Sequence, residues 1–472
     1  LAVQAYQKRS IHLIDYIAHK AREAERKVQV RLVKGAYWDT EIKVAQMGGF
    51  NEYPVFTRKC NTDVSFLACA QEMLANNDVI YSMFATHNVH TIAAVRNMAK
   101  EKGVDYEFQR LHGMGEGVYA HIIGDSDVKV SVYAPVGPHK DLLPYLVRRL
   151  LENGANSSFV NKLMDESMGT QDLVKDPVKQ VRGYETHRHS KIPLPRDIFG
   201  QERLNSLGVD LDDHTEAVRL TDYVRDFDFN MRASSYLAGK ALKEVDEQHI
   251  GQAFSSARHG FVKWNSTDVE ERAKIIERCG DMLEHKMDEF IAILILEAGK
   301  TYADAVDEVR EAVDFCRYYA HCARKDFAKA GMVMPGYTGE SNRLTLHGRG
   351  VFVCISPWNF PLAIFTGQIV AALLAGNAVI AKPASQTRYV ASYMVDLMLR
   401  AGVPKDVLHL LLGNGSYGGK IVADKRVAGV VFTGSTATAK RIQTALNENN
   451  DAIVPFIAET GGQNAMIVDS SA

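Results

Sequence analysis

The sequence has little cysteine, no long apolar run and no excess of charge of one sign. The six cysteines among 472 residues form neither a Cys-x-x-Cys pair nor a dense framework, which is typical of a reducing compartment. No uninterrupted apolar run reaches the roughly 18 residues that a transmembrane helix needs. Lys and Arg number 55 against 57 Asp and Glu, a formal net charge of −2. These absences argue against secreted, membrane-spanning and nucleic-acid-coating proteins, and we expect a cytoplasmic location.

The composition is that of an ordinary globular protein. Hydrophobic residues make up 46 % of the chain and charged residues 24 %, so large cores can form. At about 150 residues per domain, the length predicts two to four domains. Both ends of the chain lie in apolar, strand-like runs, Leu1–Tyr6 and Ala465–Asp469. Because domains rarely begin or end on a core strand, we expect an internal piece of a longer polypeptide.

Short apolar runs alternate with amphipathic helical stretches in the first third of the chain. The predicted strands are Ala2–Tyr6, Val28–Val33, Val79–Ala85, Tyr106–Leu111 and Val128–Tyr133. Strands that alternate with helices predict a parallel sheet covered by helices. Polar residues follow several of these strands, as they do on the active-site face of a (β/α)8 barrel. Only five such units are visible, so the missing strands are expected upstream of Leu1.

Two segments rich in cations are candidate binding sites in this region. Residues Arg31 to Trp38 place two cations, a glycine and two aromatic rings at one strand-to-loop junction, which suits a phosphate-bearing cofactor. The alternative is a strand end with solvated charges. Arg148 and Arg149 lie on a helix predicted to begin near Asp141, and at a helix end both could grip one small carboxylate. The alternative there is two solvated arginines whose apolar stems pack.

A helical segment from about residue 231 precedes a second region of alternating strands and helices. The predicted strands are Val351–Ile355, Ala378–Ala381, Val407–Leu412, Val430–Thr433 and Pro455–Ala458. Polar and glycine residues follow them, and ligands bind at this edge of an open α/β sheet. Gly413, Gly415 and Gly418 spell G-x-G-x-x-G, but the next helix is short and no suitably spaced acidic residue follows. The standard dinucleotide fingerprint is therefore not predicted.

Longer motifs add a resemblance to known families. Five resemble the flavin-dependent proline dehydrogenase barrel: VRLVKGAYWD (30–39), YPVFTRKCNTDVSFLACA (53–70), ATHN (85–88), FQRLHGMGE (108–116) and PVGPHKDLLPYLVRRLLENGANSSFV (135–160). Four resemble the aldehyde dehydrogenase superfamily: SPWNFP (356–361), AKPA (381–384), FTGS (432–435) and AETGG (458–462). Joined through LPRDIFGQERLNSLGVDL (194–211), the two sets together resemble the bifunctional proline utilisation A enzymes.

This resemblance implies an α/β fold with two incomplete catalytic parts. Residues 1–165 would form the C-terminal portion of a proline dehydrogenase (β/α)8 barrel, and 166–230 a linker region. Residues 231–472 would form the N-terminal part of an aldehyde dehydrogenase fold, with a Rossmann-like NAD-binding domain. The implied reactions are FAD-dependent oxidation of L-proline to 1-pyrroline-5-carboxylate and NAD-dependent oxidation of glutamate semialdehyde to glutamate. The alternative is a non-catalytic scaffold or binding remnant of such an enzyme.

The resemblance also implies roles for residues of the first part. Arg148 and Arg149 match the clamp for the proline carboxylate, Tyr133 the wall beside the ring, and Tyr37 lies nearby. The positions that match FAD contacts, or lie beside them, are Gln4, Arg31, Lys34, Gly35, Trp38, Thr57, Lys59, Thr86, His87, Asn88, Gln109 and Glu152. A fixed carboxylate would orient the ring over the flavin for hydride transfer, with Arg31 stabilising charge on the reduced ring. Taken alone, His87 is more often a core histidine than a ligand.

In the second part, the resemblance implies a dehydrogenase site that binds NAD. Asn359 would donate to the oxyanion of a thiohemiacetal, and Glu459 would act as general base for deacylation. Lys382 would bind the adenosine ribose, and Gly434 and Ser435 the pyrophosphate of NAD.

Two departures from the aldehyde dehydrogenase pattern qualify this reading. The family's nucleophilic cysteine lies beyond the catalytic glutamate, and none of the six cysteines lies in the matching context. Cys354 falls within a predicted strand and is expected in the core. We therefore expect the second reaction to be absent from the chain as written. Ser385 stands where many relatives carry a glutamate, which weakens the preference for NAD over NADP.

The partners that the resemblance implies are small molecules. They are L-proline, glutamate semialdehyde and a quinone electron acceptor, the last with possible peripheral association with a membrane. A homo-oligomer is expected. Neither a metal site nor a nucleic-acid partner is predicted, since the near-neutral charge offers no basic face.

Overall fold

Parallel strands form the centre of both halves of the chain. The computed structural model describes residues 1–123, 128–154, 175–239, 246–449, 452–462 and 465–468, except for the side chains of 148–154 and 235–239. The chain divides into two units: Leu1–Met47 with Asn51–Pro195, and Gly48–Phe50 with Arg196–Ala472. Each unit contains its own buried apolar cluster.

The first unit contains a parallel five-stranded sheet whose strands lie in chain order. The strands are β1 Ala2–Gln4, β2 Val28–Val33, β3 Ile80–Ala85, β4 Tyr106–Leu111 and β5 Lys129–Tyr133. All five predicted strands are confirmed, and each bound agrees within two residues. Parallel neighbours in chain order, each pair connected through at least one helix, are how a (β/α)8 barrel winds, so the predicted architecture of this part is confirmed.

Helices cover the first sheet. They are α1 Ser10–Glu23, α2 Trp38–Met47, α3 Lys59–Ala75, α4 Val89–Lys102, α5 Glu116–Ile123, α6 His139–Gly154 and α7 Pro177–Arg182. Phe66 of α3 packs against Phe84 of β3, and Phe84 packs against Phe108 of β4; all three rings are fully buried. This aromatic column fixes the positions of the strands whose ends carry the predicted flavin contacts.

The second unit begins with helices. After a 3₁₀ turn at Pro195–Asp197 come α8 His214–Asp226, α9 Phe229–Gly239, α10 Glu247–Ser266, α11 Val269–His285, α12 Met287–Ala298 and α13 Tyr302–Asp326. In α11, apolar residues three and four positions apart form a buried stripe, and Ile276, Cys279 and Leu283 are inaccessible to solvent.

A hairpin and a second parallel sheet follow. The hairpin pairs β6 Met332–Met334 with β7 Asn342–Leu344; the sheet strands are β8 Val351–Ile355, β9 Ala378–Lys382, β10 Leu408–Leu410, β11 Val427–Thr433 and β12 Phe456–Glu459. The helices between them are α14 Ala363–Leu374, α15 Arg388–Ala401, α16 Gly415–Val422 and α17 Thr436–Asn449. The strand order β10-β9-β8-β11-β12 reverses direction between β8 and β11. In a doubly wound sheet that reversal opens a crevice at the carboxyl ends of the strands.

The prediction of a strand at Ala465–Asp469 is wrong for the residues that can be checked. Residues 465–468 are not in a strand, Met466 and Ile467 are each 90 % exposed, and Asp469 lies outside the described residues. A strand needs a hydrogen-bonded neighbour, and none of the described strands pairs with this run. The apolar residues of this run were therefore not enough to predict a strand.

None of the helices within the described ranges combines the length and apolar character that crossing a bilayer requires.

Candidate functional site

The carboxyl ends of the first sheet bring predicted flavin contacts to one edge. Gln4 ends β1 opposite Val33, the last residue of β2, and Lys34 follows at once. Gln109 of β4 lies opposite Ala85, the last residue of β3. Because the strands are parallel, their carboxyl ends share one edge, which the sequence predicted from the residues that follow each strand.

The loop after β2 is shaped by a glycine. Gly35 has φ +137°, and a side chain there would overlap the ring of Tyr6. The amide of Ala36 donates to Gln4 Oε1 at 3.3 Å, and Trp38 Nε1 donates to the carbonyl of Phe56 at 2.9 Å. Three predicted contacts, Gln4, Gly35 and Trp38, thus hold the shape of one loop, and Gly35 leaves room for the Tyr6 ring.

Asp63 is a residue that the sequence reasoning missed. It lies on α3 and forms an ion pair with Lys34, while Lys59 Nζ lies 3.1 Å from its other oxygen. Burial alone would raise the pKa of Asp63, but the two ammonium groups hold it below its usual range. The i,i+4 spacing of Lys59 and Asp63 was a usable signal for that pair, whereas the pairing with Lys34 depends on the tertiary fold.

Arg31 and Tyr133 are in direct contact. The guanidinium carbon of Arg31 lies 4.5 Å from the centroid of the Tyr133 ring, a cation–π arrangement. Arg31 Nε is buried and has no hydrogen-bond partner among the described residues. A buried donor without a partner costs free energy, so its position suits an acceptor on a bound ligand. Tyr37, by contrast, is exposed at 44 % and directly precedes α2.

His87 is partly buried, and one of its ring nitrogens lacks a partner within the described ranges. Its Nε2 has no hydrogen-bond partner in the described part of the chain, and its ring lies edge-on to Tyr119. Burial lowers the pKa of His87 and nearby Arg110 lowers it further, so both effects favour the neutral imidazole. A side chain at Gly115 would lie 2.7 Å from the ring, so this glycine makes room for it. The role of His87 as a flavin contact stays a prediction.

The residues beside His87 have structural partners. Thr86 accepts a hydrogen bond from the Tyr119 hydroxyl at its carbonyl, at 2.6 Å. Asn88 caps α4, since its Oδ1 accepts from the Thr91 amide at 3.0 Å. Gln109 Nε2 donates to Glu107 Oε1 at 3.0 Å. Tyr119 was not predicted from the sequence, although its buried position on α5 fixes the strand exit that carries three predicted contacts.

Thr57 is anchored by a segment much later in the chain. The amide of His189 donates to Thr57 Oγ1 at 2.9 Å, and Asn61 Nδ2 donates to the carbonyl of His187 at 2.9 Å. Thr57 precedes α3 and Lys59 begins it. The first turn of α3 is therefore held from one side by residues 187–189, a link that local sequence patterns did not reveal.

The predicted carboxylate clamp cannot be placed. Arg148, Arg149 and Glu152 lie on α6, but their side chains lie outside the described residues. The prediction that a helix begins near Asp141 is confirmed, since α6 starts at His139. Their roles stay predictions.

The second sheet gathers the predicted dehydrogenase residues at its own edge. Lys382 ends β9 opposite Ile355 of β8, and Glu459 ends β12 opposite Thr433 of β11. The amide of Gly434 donates to the carbonyl of Glu459 at 3.1 Å. The exits of β8 and β11 flank the crevice, and Asn359 and Ser435 follow these two strands.

Gln368 joins the two strands that border this crevice. Its Oε1 accepts from Ser356 Oγ at 2.8 Å, directly after β8, and its Nε2 donates to Thr433 Oγ1 at 3.0 Å, at the end of β11. Gln368 lies on α14 and is buried. This bridge was not predicted, because nothing in the local sequence shows that residue 368 faces both strand ends.

Protein carboxylates already occupy two of the helix N-termini at this edge. Glu308 Oε1 accepts from the Leu362 amide at 2.8 Å at the start of α14, and the Glu297 carboxylate accepts from the amides of Tyr389 and Val390 at the start of α15. An anionic ligand is repelled from a helix start that a carboxylate fills. The start of α17 carries only the neutral Ser435, whose Oγ accepts from the Thr438 amide at 3.3 Å. Of these three helices, α17 is thus the one suited to a phosphate.

Lys382 explains one glycine of the G-x-G-x-x-G run. A side chain at Gly418 would lie 3.3 Å from Lys382 Cε, so the glycine leaves room for the lysine. Lys382 Nζ donates to the carbonyl of Pro383 at 3.1 Å. Burial lowers the pKa of Lys382, and the neighbouring Arg388 lowers it further. The helix after the glycines has only eight residues, as the sequence indicated.

All six cysteines are described, and all are free thiols. Five are buried and Cys322 is partly exposed. Cys354 lies in the middle of β8, where burial raises its pKa, so its predicted core position is confirmed. A thiol with a raised pKa is a poor nucleophile, and none of the six lies at a strand exit of the second sheet.

Comparisons with known proteins agree with this geometry. Residues 1–162 match the family model described as proline dehydrogenase, and residues 236–472 match the aldehyde dehydrogenase family. The chain is 46 % identical over 508 aligned residues to the bifunctional protein PutA of Salmonella typhimurium, which covers all of this chain and 37 % of that protein. The chain belongs to the proline utilisation A family.

Two further relatives support the family assignment. A crystal structure of a proline utilisation A variant from Bradyrhizobium japonicum is 49 % identical with a TM-score of 0.89, covering 98 % of this chain and 46 % of that one. The 1-pyrroline-5-carboxylate dehydrogenase of Staphylococcus aureus is 34 % identical over 238 residues, covering 50 % of this chain and 45 % of that protein. The chain spans less than two fifths of the length of the Salmonella relative. The predicted fold class, with its barrel part followed by an aldehyde dehydrogenase part, is confirmed.

Proposed function

We propose that this chain contributes to both centres of a proline-oxidising enzyme. The first centre converts L-proline to 1-pyrroline-5-carboxylate with FAD, and the second converts glutamate semialdehyde to glutamate with NAD. The observation that carries the proposal is the presence of two parallel sheets in one chain, each with family-matched residues at its strand exits. The buried, unpartnered atoms of Arg31 and His87 fit a ligand that supplies acceptors or donors at the first edge.

At the first centre, the residues of this chain bind and orient. FAD, when bound, accepts the hydride. Gln4, Gly35 and Trp38 shape the loop against which the cofactor lies, and Arg31 supplies positive charge backed by the Tyr133 ring. The further contacts proposed for this centre are Lys34, Thr57, Lys59, Thr86, His87, Asn88, Gln109 and Glu152. Arg148 and Arg149 bind the proline carboxylate, with Tyr133 against the ring and Tyr37 nearby.

At the second centre, Gly434 and Ser435 bind the pyrophosphate of NAD at the start of α17. Lys382 reaches the adenosine ribose from the end of β9. Asn359 donates to the oxyanion and Glu459 serves as the base for deacylation. The cysteines of this chain do not supply the nucleophile, because five are buried and none lies at a strand exit. That observation favours a binding role without turnover for this part of the chain alone.

The wider setting belongs to the same proposal. A quinone would take electrons from the first centre, with peripheral association with a membrane, in a cytoplasmic homo-oligomer. The free cysteines support the reducing compartment. We keep a barrel part at 1–165, a linker at 166–230 and a dehydrogenase part at 231–472, and the boundary between Pro195 and Arg196 falls inside that linker.

The decisive assay measures flavin and turnover together. The purified protein, with whatever flanking sequence its gene encodes, should retain FAD and reduce a quinone or dye when proline is added. Arg149→Lys should raise the KM for proline about tenfold, because Lys cannot form the bidentate contact. Arg182→Lys, on the exposed side of α7, is the matched control. Absence of both flavin and proline turnover would overturn the proposal.

A further inference from the structure

Lys34, Lys59 and Asp63 form a compact charged cluster at the edge of the first sheet. Lys34 follows β2, while Lys59 and Asp63 lie on the first turns of α3. Asp63 Oδ1 pairs with Lys34 Nζ, and Lys59 Nζ lies 3.3 Å from Oδ1 and 3.1 Å from Oδ2. The side chains of Lys34 and Asp63 are only 23 % and 18 % exposed. The Lys59 side chain is 41 % exposed, so two cations share one carboxylate at the border between the protein interior and solvent.

The cluster is left with positive charge. Burial lowers the pKa of Lys34, and the carboxylate of Asp63 opposes that shift. With both lysines protonated, two ammonium groups and one carboxylate sum to one positive charge, and the start of α3 adds the positive end of its macrodipole. The first turn of α3 contains no acidic residue. Cations at a helix start are unfavourable unless an anion is bound nearby. Each ammonium group has three N–H donors, so both lysines retain free donors after they donate to the Asp63 carboxylate.

We infer that Asp63 is a positioning residue that holds Lys34 and Lys59 ready for the pyrophosphate of the flavin dinucleotide. This inference rests on the proposed function, since both lysines match FAD contacts. A lysine side chain has many rotamers, and ordering it on binding costs free energy. Asp63 orders both lysines before the ligand arrives. The neighbouring Arg58 does not share this role, since its Nε donates to the Arg188 carbonyl and its guanidinium stacks on Tyr184.

Simple electrostatics and positioning make opposite predictions for Asp63→Asn. Loss of the carboxylate raises the local charge, so attraction alone would tighten the binding of an anionic dinucleotide. If Asp63 positions the lysines, the variant binds FAD more weakly in spite of its extra positive charge. The side chains become disordered and repel one another, and the dissociation constant should rise about tenfold.

The test compares three variants with the wild-type protein. FAD dissociation constants are measured by flavin fluorescence, and ¹³C-methylated lysine signals report how ordered Lys34 and Lys59 are in the apoprotein. Asp63→Asn should weaken FAD binding and collapse the distinct shifts of the two lysines. Asp63→Glu should restore both in part, because it keeps the charge. Asp78→Asn, which removes a carboxylate paired with Arg22 just before β3, is the matched control and should change neither.

The results of these measurements distinguish failure of the proposed function from failure of the role inferred for Asp63. Wild-type protein that binds no FAD would overturn the proposed function. Wild-type protein that binds FAD, with Asp63→Asn binding equally well or more tightly, would overturn the inference alone. If Asp63→Asn fails to fold by circular dichroism, Asp63→Glu decides. Loss of the distinct lysine shifts with FAD affinity unchanged from wild type would contradict positioning, whereas lysine order and FAD affinity that fall together would support it.

Discussion

Glu284 is a carboxylate on which several donors converge. Arg317 contacts both of its oxygens at 3.0 Å, the amide of Leu207 donates to Oε1 at 2.8 Å, and Arg196 Nη2 lies 3.2 Å from Oε2. Burial alone would raise the pKa of Glu284, but these donors hold it below its usual range. The charged form is therefore preferred in the folded state.

Because of this preference, the free energy of unfolding should depend on pH. Because the folded-state pKa of Glu284 is lowered, its carboxylate contributes fully to the free energy of unfolding above the unfolded-state pKa of about 4.3. That contribution is lost as the pH falls through the folded-state pKa. Glu284→Gln should be less stable than wild type by about 2 kcal/mol at pH 7, with the gap narrowing below about pH 4. Urea unfolding of both proteins at pH 7 and below about pH 4 measures this difference in stability. An unchanged gap, or the same behaviour in exposed Glu216→Gln, would contradict it.

Single residues show where sequence reasoning stopped. Lys34 and Lys59 could be singled out because a motif contained them, but their shared partner Asp63 could not. Tyr119 and Gln368 carry no motif-level signal, yet they fix two strand exits through hydrogen bonds at 2.6 Å and at 2.8 and 3.0 Å. A hydrogen bond between residues distant in the chain depends on packing, which local patterns do not encode.

At the scale of elements, the start of α14 depends on a buried ion pair. Glu308 caps the helix with one oxygen and pairs with Lys300 at 2.8 Å through the other. The Glu308 side chain has no exposed surface and that of Lys300 is 12 % exposed. The loop that carries Asn359 runs directly into this helix, so the pair also holds the proposed oxyanion donor.

Removal of that carboxylate should be costly. Glu308→Gln leaves the Lys300 charge buried without its partner and should lower the free energy of unfolding by about 3 kcal/mol. Glu308→Gln combined with Lys300→Met should recover part of the loss, since no charge stays buried. The control is Glu247→Gln, because Glu247 pairs with Lys420 at the same 2.8 Å but on the surface. Equal effects in urea unfolding would show that burial is not the cause.

Two glycines on α10 should respond oppositely to alanine. A side chain at Gly260 would overlap the carbonyl oxygen of Asp406, whereas a side chain at Gly251 would meet nothing within 4 Å. Gly260→Ala should therefore destabilise the fold by about 2 kcal/mol through overpacking. Gly251→Ala should stabilise it by about 0.5 kcal/mol, because alanine favours the helix. Thermal unfolding of the two variants checks both signs, and a stabilising Gly260→Ala would refute the packing argument.

Strand positions were mostly predictable, and the exceptions have a physical cause. β11 begins at Val427, three residues before the predicted start at Val430. The predicted strand left out Ala428 and Gly429, but the ring of Phe352 occupies the space where a side chain at Gly429 would be. The glycine is therefore part of the strand because of its neighbour in space.

At the scale of the whole molecule, the two units should respond to different ligands. A ligand at about 100 times its dissociation constant stabilises the unit that binds it by about 2.7 kcal/mol. FAD should slow amide hydrogen exchange within Leu1–Met47 and Asn51–Pro195, and NAD should do so within Gly48–Phe50 and Arg196–Ala472. Hydrogen exchange with mass spectrometry checks this unit by unit. AMP, which lacks the pyrophosphate, is the matched control. Protection of one unit by both ligands would contradict the assignment of FAD to the first unit and NAD to the second.

Sequence patterns were enough to predict the two alternating regions, the strands of the two parallel sheets and the family of each half. Those features depend on apolar spacing and on contiguous motifs, which are local properties of a chain. The tertiary structure alone decided which distant side chains meet: Asp63 with Lys34, Arg31 with Tyr133, and Gln368 with two strand ends. Charge pairing and burial act across space, so the residues that support each site became visible only once the strands lay side by side.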